Sequence, residues 1–104
     1  MSFDNMGRFA DPALLILTSL AEQPRHGYGM MQDIEQFAGV QLGPGTLYGA
    51  IARLEKLNWI EPLPLEDRKR PYQLTSTGKE ALQKRLASLQ SVTALGQARL
   101  GGAS

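Results

Sequence analysis

Gly43-Pro-Gly-Thr-Leu-Tyr-Gly-Ala-Ile-Ala-Arg-Leu-Glu-Lys-Leu57 has the apolar spacing of a helix, yet it carries glycine at 45 and again at 49. A glycine inside a helix costs about 1 kcal/mol relative to alanine, so something other than helix stability selects these two. On a wheel of about 100° per residue, Leu47, Ala50, Ile51, Leu54 and Leu57 share an inward arc. The opposite arc holds Gly45, Tyr48, Gly49, Ala52 and Lys56, with Arg53 and Glu55 at its borders. A solvated helix face usually carries Glu, Lys, Gln and Arg, and this one is nearly bare.

Small residues on an outward face make sense where a large surface must approach the backbone, and the DNA major groove, about 12 Å wide, is such a surface. Gly43, Gly45 and Thr46 offer unhindered backbone N–H groups behind Pro44, an arrangement suited to a phosphate oxygen. The duller reading is a helix-start turn with glycines packed tightly against another protein element. A nucleotide phosphate loop is discounted, because no lysine follows at the required spacing and no core strand precedes the glycines.

Working outward, Asp11-Pro12 reads as an N-cap and first helical residue, and Leu14, Leu15, Leu17, Leu20 and Ala21 predict a nearly all-round buried first helix to about Glu22. Gln23 to Gly27 reads as a turn. Tyr28, Met30, Met31, Ile34, Phe37 and Ala38 then recur at helical spacing up to Gly39, a C′ glycine. The quoted stretch is the third helix, ending near Asn58, and three short helices with tight turns suggest a helix-turn-helix.

Beyond it, residues 59–63 and 71–74 read as two short strands around the charged turn Glu66-Asp-Arg-Lys-Arg70. Prolines 62, 64 and 71 predict that both are edge strands of a small hairpin wing. Thr75 caps a long last helix with Ala81, Leu82, Leu86, Leu89, Val92 and Leu95 or Gly96 on one side. Such a stripe needs a partner, and a second copy of the chain is the simplest one. The expected organisation is a loose arm at 1–10, on which Phe3 and Phe9 could pack back, a winged helix-turn-helix at 11–74, and a dimerisation helix at 75–104.

Bulk properties narrow the function. The chain has 104 residues, 42% hydrophobic and 20% charged, which is one folded domain. With no cysteine and one histidine, thiol nucleophiles, thiolate zinc sites and multi-histidine metal sites are excluded, and no cofactor is expected. His26 has no evident Ser or Asp partner for catalysis, so an enzyme is not expected. Ala13-Leu-Leu-Ile-Leu17 is far shorter than the roughly 20 residues that span a bilayer, and a cytoplasmic location follows as an expectation. A formal charge of +1 does not itself announce a nucleic-acid binder, so the placement of the cations matters more than their sum.

Several separated blocks, His26-Gly-Tyr-Gly, Gly43-Pro-Gly-Thr-Leu-Tyr-Gly-Ala-Ile-Ala-Arg-Leu-Glu, Trp59-Ile-Glu, Arg68-Lys-Arg-Pro-Tyr-Gln-Leu-Thr and the following Gly78, agree in order and spacing with one family. Over about residues 13 to 86 the chain resembles the PadR-type transcriptional regulators. The resemblance implies a mainly α winged helix-turn-helix, a homodimer built through the C-terminal helix, and repression by binding double-stranded DNA at a palindromic operator. It leaves room for a small-molecule effector held between subunits. The chain ends soon after one C-terminal helix, so the large effector region of longer members is not expected.

By analogy, Thr46, Leu47, Tyr48 and Arg53 lie on or beside the recognition helix, Arg68, Lys69 and Arg70 in the wing, and His26 and Tyr28 at the start of a helix touching the DNA backbone. With Gly45, Gly49 and Lys56 these make up the candidate DNA-binding set. Leu82, Leu86, Leu89, Val92 and Leu95 make up the dimerisation set. Each has a structural alternative: Tyr48 as a half-buried packing residue, Arg53 and Lys56 as solvated cations, Arg68 to Arg70 as a solvated charge run, His26 as a cap, and Trp59 as an anchor for the wing. The rival function is a winged-helix module that docks protein and never binds DNA, favoured by Glu55, Glu61, Glu66 and Asp67 beside the cations.

Overall fold

The structure, a computed structural model, describes residues 11–101, so the expected N-terminal arm lies outside the described residues. Helix α1 (Pro12–Glu22) begins where expected: Asp11 Oδ1 accepts the Ala13 amide at 3.0 Å and the Leu14 amide at 3.4 Å. It ends at Gln23, whose extended backbone, with ψ 163°, suits the following Pro24, which disfavours the helical conformation in the residue before it. Ile16, Leu17, Ser19 and Leu20 are buried, Ala13, Leu14 and Leu15 pack partly buried against the same core, and no residue from Pro12 to Leu20 is exposed, so the helix is covered nearly all round except at Ala21 and Glu22 in its last turn.

The segment expected to be only a turn contains a short strand, β1 (Arg25–His26). Helix α2 (Gly27–Ala38) follows at once and stops at Gly39, which has φ 67° and donates its amide to the Glu35 carbonyl at 2.9 Å. Met30 and Ile34 fill the core, while Tyr28 and Phe37, which share their spacing, are 58% and 46% exposed. Helix α3 (Pro44–Lys56) turns Leu47, Ala50, Ile51 and Leu54 inward. Its end is a Schellman turn: Trp59 N donates to Leu54 O at 3.0 Å and Asn58 N to Glu55 O at 2.9 Å, with Asn58 at φ 62°. Leu57, the last residue before that reversal, is 54% exposed although its spacing placed it on the inward arc.

Strands β2 (Ile60–Pro62) and β3 (Pro71–Leu74) form the wing, and β1 joins them in the order β1-β3-β2. Thus β3 is the central strand, not an edge. Pro71 is tolerated there because it opens the strand, opposite His26. At the tip, Glu66 and Lys69 exchange backbone hydrogen bonds of 2.8 Å across Asp67 and Arg68, both in the left-handed region at φ 47° and 67°. This is the two-residue turn whose twist matches that of the strands.

Helix α4 (Ser76–Arg99) starts at the Thr75 cap and would measure about 36 Å at 1.5 Å per residue. Its first turns close the core through Leu82, and every residue from 83 to 101 is exposed. The core therefore joins α1, α2, α3, β2 and the base of α4 around Ile16, Met30, Ile34, Leu47, Leu54 and Ile60. Truncating any of the larger of these to alanine would remove about 2–5 kcal/mol.

Candidate nucleic-acid interface

The outward face of α3 is open. A Cβ added at Gly43 or Gly45 would meet no atom within 4 Å among the described residues, and one at Gly49 would meet only the Arg53 guanidinium, at 3.7 Å. Tight packing of Gly45 and Gly49 against another element of the chain is therefore not the reason for them. Arg53 lies back along the helix over Gly49, as helical side chains lean toward the N-terminus. Thr46, Ala52 and Lys56 are exposed on the same helix. Lys56 also sits in the last turn, where a cation complements the helix dipole.

Tyr48 is both exposed and packed. Its ring is 53% exposed, and its hydroxyl end lies directly over Gly27, where any side chain would collide with it. Gly27 thus has a steric reason that spacing alone did not reveal: it seats Tyr48 at the start of α2. Next to this contact, α2, α3 and the wing enclose an open cleft of about 270 Å³. Into it come His26 from the end of β1, Tyr28 from α2, Tyr48 from α3, and Arg68, Lys69, Arg70 and Tyr72 from the wing. Residues separated by more than forty positions in the chain thus line one concavity bearing cations and phenols.

Within the cleft the roles differ. His26 caps α2, its Nδ1 accepting the Gly29 amide at 3.4 Å. Arg70 donates from Nη1 to the Leu63 carbonyl at 2.7 Å and so ties the two arms of the wing, while Arg68 and Lys69 stand exposed at the tip. Tyr72, absent from the expected set, has its hydroxyl held above its usual pKa of 10.0 by burial first, then by the Glu55 carboxylate; Arg70 opposes the shift and Tyr48 adds to it. No sequence signal marked Tyr72, because only the pairing of β3 with β1 turns it toward Tyr48.

A second set of polar residues supports this edge from behind. Ser19, buried, donates to Asp33 Oδ2 at 2.7 Å, and Arg25 lies 3.6 Å from Asp33 Oδ1 and 3.2 Å from Glu22. Arg25 Nε also donates to the Ser19 carbonyl at 3.3 Å, so α1, β1 and α2 are held together behind His26.

The expected dimerisation set divides. Leu82 is 6% exposed within the chain's own core and is not available to a partner. Leu86, Leu89, Val92 and Leu95 are 43%, 39%, 67% and 51% exposed, and a shallow groove runs past Leu86, Leu89, Thr93 and Ala94. Trp59 packs against the core and lines a groove of about 500 Å³ between α1 and α4, which Asp11 and Arg85 close with an ion pair of 2.9 Å. Among the described residues no cluster of three or more His, Cys, Asp or Glu could hold a metal, and no helix is long and apolar enough to cross a membrane.

Comparison with known proteins agrees with this architecture. Over 82 residues the chain is 45% identical to an uncharacterized 37.1 kDa protein in transposon TN4556 of Streptomyces fradiae, matching 79% of this chain but only 24% of that one. The chain thus spans about a quarter of that relative's length. A PadR family transcription regulator from Clostridium difficile R20291 superposes with a TM-score of 0.78 at 22% identity, covering 86% of this chain and 97% of the other. H. salinarum RosR superposes with a TM-score of 0.70 at 28% identity, covering 80% and 76%. Both share the winged-helix fold described above. The model of the transcriptional regulator PadR-like family matches residues 16–84, and the chain belongs to that family.

Proposed function

We propose that this member of a transcriptional regulator family is a homodimeric DNA-binding repressor that places α3 of each copy in the major groove of a palindromic operator. Residues 11–74 are the DNA-binding unit, and the helix from Thr75 onward joins the two copies. The observation that carries the reading is the open face of α3 at Gly45, Gly49 and Ala52 beside the cleft of cations and phenols. A duplex seated on α3 brings its phosphates to Tyr28, Tyr48, Lys69 and Arg68. These contacts position the helix, while Thr46, Arg53 and the bare backbone face the base edges. The two half-sites then lie about one helical turn, some 34 Å, apart on one side of the duplex.

A small molecule lodged between the copies would release the operator. Near-neutral charge keeps non-specific binding weak and favours the rival reading, a module that docks protein. Fluorescence anisotropy of a labelled fragment from upstream of the protein's own gene, over a range of salt and with unrelated competitor DNA, separates the two. Competitor-resistant binding with a steep salt slope supports the regulator. Binding that the competitor abolishes, here and across a random-sequence selection, supports the protein-docking module.

A further inference from the structure

The C-terminus of α3 and the N-terminus of α4 are clasped together by residues that the DNA-facing surface does not use. Asn58 ends α3 with φ 62°, and its carbonyl accepts the Thr75 hydroxyl at 2.6 Å. The same Thr75 oxygen accepts the Gly78 amide at 3.0 Å, capping α4, and the Thr75 amide donates to the Trp59 carbonyl at 3.0 Å. Gly78 is buried against Trp59 so closely that a Cβ there would collide with the Trp59 carbonyl oxygen and fall 2.8 Å from its carbon. Although the wing separates the two helices along the chain, α4 departs from a point bonded directly to Asn58 and Trp59, the residues that close the end of α3.

We propose that this clasp sets the angle between α3 and α4, and through it the separation of the two α3 helices in the dimer, so that Thr75 and Gly78 are positioning residues for half-site spacing. The proposal rests on the reading that α4 joins two copies and α3 meets DNA. The geometry gives the clasp leverage. A helix of 13 residues is about 20 Å long, so a rotation of about 10° at its end moves the far turn by about 3.5 Å, the rise of one base pair. Leu82 in the core and the Asp11–Arg85 ion pair hold α4 to the body independently, so loosening the clasp re-angles the helix and does not release it.

The chain lacks cysteine, so Ala52→Cys gives a single spin-label site on α3 for pulsed dipolar distance measurement in the full chain. Gly78→Ala, which must push α4 off Trp59, is expected to shift the inter-label distance by at least 3 Å. Thr75→Val, which removes the hydroxyl, is expected to broaden or shift the distribution, and Thr75→Ser to restore it. An unchanged distribution in folded Gly78→Ala and Thr75→Val overturns the proposal. Should Gly78→Ala not fold, Thr75→Val against Thr75→Ser decides alone. No dipolar signal in the unmutated-clasp protein would overturn the dimer reading and this proposal with it. On duplexes recovered by selection, the two perturbed variants should lose at least tenfold in affinity at the original spacing and regain part of it when the spacer changes by one base pair. An equal loss at every spacing would show a merely structural role.

Discussion

The outer face of α3 and the distal half of α4 both face solvent, and they do so with opposite chemistry. On α3 the outward positions include Gly45 and Ala52, both exposed, and Gly49, half-covered by Arg53, with one ring and a few cations around them. On α4 they include Leu86, Leu89, Val92 and Leu95. Neither is an ordinary solvated face, and the difference tells what each can accept. A bare backbone suits a polar surface that must come close, whereas exposed leucine and valine gain about 25 cal/mol for each Å² of apolar area a partner covers. The first face therefore points to nucleic acid and the second to another apolar helix face.

Four variants test this contrast, in decreasing order of expected effect. Gly49→Glu places a bulky carboxylate on the bare face and is expected to weaken operator binding at least a hundredfold with an unchanged circular dichroism spectrum; unaltered affinity would remove α3 as the reading helix. Leu86→Asp with Leu89→Asp charges the other face. Sedimentation should then report a monomer and anisotropy at least a tenfold weaker complex, whereas a persistent dimer would move the interface away from α4. Arg68→Gly is expected to act in two directions. It relieves a left-handed residue and so stabilises the wing by up to about 1 kcal/mol, yet it removes a cation from the tip, lowering the salt slope of binding by about 1. Thermal melts and salt titrations read the two separately.

The smallest effect concerns Tyr72. Its raised hydroxyl pKa means that Tyr72 is neutral in the folded and the unfolded chain well below pH 10, and that it ionises first in the unfolded chain as the pH rises further. Stability should fall above pH 10, and Tyr72→Phe should remove that part of the fall in alkaline denaturation. An identical alkaline profile for Tyr72→Phe would mean that the ring is not held as described.

Much of this was legible because the signals are local. Asp11-Pro12, Gly39 and Thr75 mark helix ends through capping chemistry that acts within a few residues, and each occupies the position expected of it. The bare arc of α3 was legible because helical geometry alone defines it. What escaped depends on distant pairing. Arg25 and His26 become a strand only because β3 lies beside them, and that strand makes β3 central and brings Tyr72 to Tyr48. Leu57 and Phe37 have core spacing but lie where their helices end, past the surface that would have covered them. Leu82 and Leu86 share a stripe, yet the body of the domain reaches only as far as the first.

On the proposed function the bare helix, and not the apolar one, meets DNA. An iron chelate tethered at Glu55→Cys on the border of the α3 face, compared with one at Ser91→Cys on α4, would test it by hydroxyl-radical cleavage of the bound operator. Cuts from the α3 tether are expected in two clusters about one helical turn apart, with none from α4. Cleavage from Ser91→Cys with none from Glu55→Cys would contradict it.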